Sequence, residues 1–162
     1  MKADLYDIFD REDLAPETAI EVAKQATSLE EMYEIVYKLA TKHFSKAILK
    51  AKADDKTKIE ALLTLGEFVD AFYLNVKAFP FLVTTYAYSL TEEELRDAIK
   101  ESLKDFAYIY ANLKNGKPLE DVAHQLFIET LTLQRHLSLA FERANTVIIY
   151  LREELESTTT KA

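Results

Sequence analysis

The chain has 162 residues and a mass of 18.6 kDa, with 49% apolar residues, 30% charged residues and a formal net charge of −8. A chain of this size fits one globular domain that buries roughly 69% of its unfolded surface without covalent staples. Cysteine is absent, which excludes a disulfide framework, cysteine nucleophiles and thiolate metal sites. Two glycines and three prolines are too few for the turns of a strand-rich protein. The expected fold class is therefore all-α: a single domain built as a mainly antiparallel bundle of four principal helices plus a short N-terminal one, with a long C-terminal helix.

Residues 1–15 form an acidic leader with five acids in the first thirteen residues and Leu5, Ile8 and Phe9 on one face. This is the reverse of a basic and then apolar secretory signal, so a cytoplasmic protein is expected. Pro16 suits the first turn of a helix reaching about Thr27. Ser28 and Glu31 have capping-box spacing and open a second helix, with Leu29, Met32, Val36, Leu39, Ala40, Ala47 and Ala51 as one stripe to about Lys52. A third helix follows Asp54-Asp55, with Ile59, Leu62, Leu65, Val69, Phe72, Val76 and Phe79 as its buried line.

Pro80 predicts a break near Phe79, followed by an aromatic segment that runs to Tyr88. The uncharged stretch Ala78 to Thr91 is 14 residues long, short of the ~18–20 that span a bilayer, so no membrane association is expected. Ser89 or Thr91 caps the next helix, which runs to Lys114 with Leu95, Ile99, Phe106, Ile109 and Leu113 inward. Asn115-Gly116 stops it, and Pro118 with Glu120 and Asp121 starts a last helix that continues to about Glu156. Residues 157–162 are expected to fray. Abundant Lys and Glu with few Asn and Gln is the bias of proteins from hot environments.

The main catalytic templates are missing. Gly66 and Gly116 each stand alone, so there is no glycine-rich phosphate loop. The three histidines, His43, His124 and His136, form neither an HExxH pair nor a Glu-x-x-His motif. No catalytic residue, metal or cofactor is expected, and the balance leans away from an enzyme.

Four constellations merit weight. Lys38, Lys42, Lys46 and Lys50 recur at four-residue spacing along one flank of the second helix, and residues 38–58 hold seven lysines against two aspartates, a local +5. The alternatives are a solvated face, a partner-docking stripe and an anion track; nucleic acid is disfavoured by the overall negative charge and the lack of interleaved aromatics. Glu67 and Asp70 on the third helix, with Glu129 and His136 on the last, would form a carboxylate–imidazole cluster if those faces met, against a simpler reading as structural ion pairs. Phe81, Tyr86 and Tyr88, with Phe79 at the break, are a core plug, a protein interface or the wall of a ligand pocket.

The fourth is the last helix itself. From Leu119 to Glu156 it would span about 57 Å, against about 39 Å for a compact globule of this length. Apolar residues such as Phe141, Ile148 and Ile149 widen its greasy surface beyond one stripe. An elongated monomer or a break near Asn145 would absorb the excess. Pairing with a second copy about a two-fold axis explains it better, so the expectation is a homodimer with Phe141, Ile148 and Ile149 in the contact. The functional expectation is a non-enzymatic, self-associating module with a possible protein partner. The alternatives are a small-molecule-binding bundle and, behind that, a carboxylate metal enzyme.

Overall fold

A computed structural model describes residues 15–85 and 90–161. All regular structure among them is helical. In chain order the elements are α1 (Pro16–Lys24), α2 (Leu29–Lys38), a π-helical turn (Leu39–Phe44), α3 (Ser45–Lys50), α4 (Asp55–Lys77), α5 (Phe79–Thr85), α6 (Glu92–Lys114) and α7 (Leu119–Lys161). The acidic leader, apart from Ala15, lies outside the described residues, as do Tyr86 and Tyr88.

Local signals set most boundaries. The Ser28 side chain accepts the Glu31 N–H at 3.1 Å, while the Glu31 carboxylate reaches back to the N–H and hydroxyl of Thr27 rather than to the cap residue. Of the two candidate caps before α6, Thr91 is the one used, in a complete capping box with Glu94. The proline break also occurs: α4 stops at Lys77, and α5 begins at Phe79 with Pro80 in its first turn. At the end of α6, Gly116 adopts φ 97°, and its N–H and that of Lys117 bond back to the carbonyls of Leu113 and Asn112 at 3.1 and 3.0 Å. A side chain would strain that left-handed turn, which reverses the chain into α7.

The rod α2–π–α3, α4, α7 and α6 close a four-membered ring, each packing on the next, with α1 laid against α6 and α5 against α7. The centre is aromatic. Phe106 stacks on Phe68 at 4.4 Å and on Phe44 at 5.3 Å, and Phe44 meets Tyr110 at 5.5 Å, so three of the four rods meet in one plug.

Two expectations about the core change. On the second rod, Phe44 and Ile48 are fully buried while Ala47 and Ala51 are only half-buried. The cause is the π-helical turn, where one extra residue per turn moves the inner face on by one position, from 47 to 48. On α4, Ile59 is exposed and Phe68 takes the centre, because the buried face is set by two neighbours rather than one. The last helix is helical through the expected tail to Lys161, with hydroxyl bonds from Thr158 to the Glu154 carbonyl and from Thr159 to that of Leu155.

Asn75 is fully buried on α4. Its Nδ2 donates to the carbonyls of Ala71 and, across the α4–α7 contact, Leu133 at 2.8 and 3.1 Å. This is a directional tie in an otherwise apolar seam.

Candidate functional site

Helix α7 has 43 residues, which at 1.5 Å per residue is about 64 Å. It is unbroken at Asn145, and it outreaches the bundle. Leu119, Val122, Leu126, Thr130, Leu133 and Ala140 are buried against the other rods, and Ala140 is the last fully buried residue. Every residue from 145 to 159 is exposed.

The geometry of this overhang follows from the helical repeat. At about 100° per residue, the buried residues of the first half occupy an arc of roughly 80°. Phe141, Ala144, Val147, Ile148, Leu151 and Leu155 fall within about 20° of that same arc. One continuous apolar stripe therefore runs the length of α7, covered up to Ala140 and bare beyond it, with Phe141 59% and Leu155 68% exposed. Phe81, on α5, touches the start of the bare section, its ring 5.8 Å from that of Phe141. Ile149 lies about 100° round from Ile148, on the flank that carries Phe127 and Leu131, both also exposed.

The other expected constellations separate. Glu67 and Asp70 stand exposed on α4, with Asp70 beside a groove against Ala40, Thr41 and Ser45. Glu129 does not join them but pairs with Asp105 of α6. Burial raises the proton affinity of both carboxyls. The neighbouring Asp105 charge and a hydrogen bond between the two push Glu129 up to about 7. His136, half-buried further along α7, is shifted down by burial and by the adjacent Arg135 cation. Among the described residues no group of three or more His, Asp or Glu side chains is arranged to hold a metal ion. The sequence pointed to Glu129 as an acid near a core stripe; Asp105, 24 positions earlier and on another helix, carried no comparable signal.

The lysines also divide. Lys38 pairs with Glu34 at 2.9 Å. Lys42, Lys46 and Lys50 instead line a cleft of about 420 Å³ that is closed from the α6 side by Tyr110, Leu113 and Lys114, with His43 at its base. His43 is buried and meets the Tyr110 ring edge-on at 6.5 Å. Phe79 and Pro80 border a separate groove shared with Tyr33 and Tyr73.

No family model matches this chain, and neither a curated protein nor a solved structure gives a significant match. Among the described residues no helix is long and apolar enough to cross a membrane.

Proposed function

We propose that this chain is a non-enzymatic assembly module that pairs with a second copy of itself through the overhang of α7. The observation that carries the proposal is the continuation of the buried stripe: the same face that packs the bundle up to Ala140 is apolar for about four further turns, and Phe141, Val147, Ile148, Leu151 and Leu155 on it are all exposed.

A second copy fits this surface in extent, and the placement of the glutamates favours one direction of pairing. The 21 overhanging residues from Phe141 to Lys161 form a rod about 31 Å long and 10–12 Å across, so burying half its flank removes about 500 Å² per copy, or about 1,000 Å² for a pair. That meets the floor of about 1,000 Å² for a biological interface, just under the ~1,200–2,000 Å² of standard stable complexes. The overhang carries Glu142 and Arg143 at its base and Arg152 with Glu153, Glu154 and Glu156 nearer its tip. Antiparallel pairing about a two-fold axis sets each base against the other tip and keeps the three glutamates of one copy away from those of the other, whereas parallel pairing stacks them on their own copies.

Sedimentation velocity at micromolar concentration tests the proposal. The expected result is a dimer of about twice the chain mass, converted to monomer by Phe141→Glu with Ile148→Glu while circular dichroism retains the helical signal. A wild-type monomer at 100 μM, or an unchanged dimer in the folded double variant, overturns it, and a monomer would assign the stripe to a different partner.

A further inference from the structure

The cleft on the second rod is a strongly one-signed surface. Its lining includes four lysines, Lys42, Lys46, Lys50 and Lys114, around His43 and Tyr110, and no carboxylate. None of the four lysines makes an ion pair among the described residues. Lys50 and Lys114 stand in the last turns of α3 and α6, where a cation offsets the helix dipole. Lys42 and Lys46 have no such role, and like charges four apart on a helix destabilise it by a few tenths of a kcal/mol per pair.

The backbone is adapted to this convergence. In an unbroken α-helix, lysines at positions 38, 42, 46 and 50 drift by about 40° per step, which spreads the set over about 120°. The π-helical turn holds both Lys42 and His43. Its extra residue takes back about 100°, and so gathers the later lysines toward one side, where Lys114 arrives from α6. Such turns occur often at functional sites.

We infer that this cleft binds a small, multiply charged phosphate compound. Lysine ammonium groups act as point charges that suit a polyanion, where a single carboxylate is better matched by the guanidinium fork. Recognition is confined to the phosphates, because Tyr110 is 1% exposed and packed on Phe44, which leaves no free ring face for a base to stack on. An extended nucleic acid is not the ligand, for the basic surface does not continue. Lys56 borders a different groove with Asp54 and Glu60, Lys58 is engaged with the Leu49 carbonyl at 2.8 Å, and the whole chain carries −8.

The test is a titration of the full chain with pyrophosphate, and in parallel with ATP, in about 150 mM salt, followed by calorimetry and by amide chemical shifts. The expected result is saturable binding with a Kd below about 1 mM, with shifts confined to residues 42–51 and 110–114. Lys42→Gln with Lys46→Gln weakens it at least about tenfold; Lys52→Gln leaves it unchanged. ATP is expected to bind within about threefold of pyrophosphate. No saturation at 5 mM, or equal binding by the double variant with an unaltered thermal midpoint, overturns the site. ATP binding ten times tighter or more overturns its confinement to phosphates. All of these outcomes are independent of whether the chain dimerises.

Discussion

Replacing Glu129 by glutamine isolates the carboxyl with the largest shift among the described residues. In the folded protein its proton affinity is pushed up to about 7 from an ordinary 4.5, by burial first and by Asp105 second. The folded state therefore holds a proton that the unfolded chain releases, and stability falls as pH rises from 4.5 through about 7. Undamped, that displacement is worth about 3 kcal/mol. The group is only half-buried, and solvent screening reduces it to about 1–2 kcal/mol.

Glu129→Gln keeps a donor for Asp105 and removes the charge, so it should match wild type at pH 4.5 and exceed it by about 1–2 kcal/mol at pH 8. In a protein of this size that is about 2–6 °C in thermal midpoint. His136, shifted down, works in the opposite sense and lowers stability as pH falls through its ordinary 6.5. The two proteins are accordingly compared with each other at each pH, by thermal melts followed by circular dichroism from pH 4.5 to 8. A constant difference across that range, or a variant less stable at pH 8, refutes the assigned cause.

Phe106→Ala opens the centre of the aromatic plug, where Phe106 contacts both Phe44 and Phe68; chemical denaturation should show a loss of about 3–5 kcal/mol. Thr91→Ala removes the hydroxyl that accepts the Glu94 N–H while leaving the residue-91 N–H on the Glu94 carboxylate, and should cost about 1 kcal/mol, restored in large part by Thr91→Ser. Ending the chain after Asn145 removes residues that are exposed throughout 146–159, beyond the last fully buried position at Ala140; the product should remain helical by circular dichroism and sediment as a monomer, with a thermal midpoint that no longer depends on concentration.

Signals that act over three or four residues are legible in the amino-acid sequence by itself. Ser28 and Thr91 as caps, Pro80 as a break, Gly116 as a left-handed stop and the uninterrupted length of α7 all follow from backbone preferences and hydrogen-bond reach within one helical turn. The all-α class follows from the same scarcity of turn formers. The overhang is foreseeable because a rod of known rise outgrows a globule of known volume. What the tertiary structure alone decided concerns partners distant in sequence. The π-helical turn that brings Phe44 and Ile48 inward is set by the fit of the second rod against α4 and α6, and no residue in Leu39–Phe44 marks it. Asp105 meets Glu129, Asn75 ties to the Leu133 carbonyl, and Lys114 faces Lys42 and Lys46 across a cleft. Each of these depends on how two helices are rotated about their own axes, a few tens of degrees that a periodic pattern leaves open and that close packing of the core then fixes.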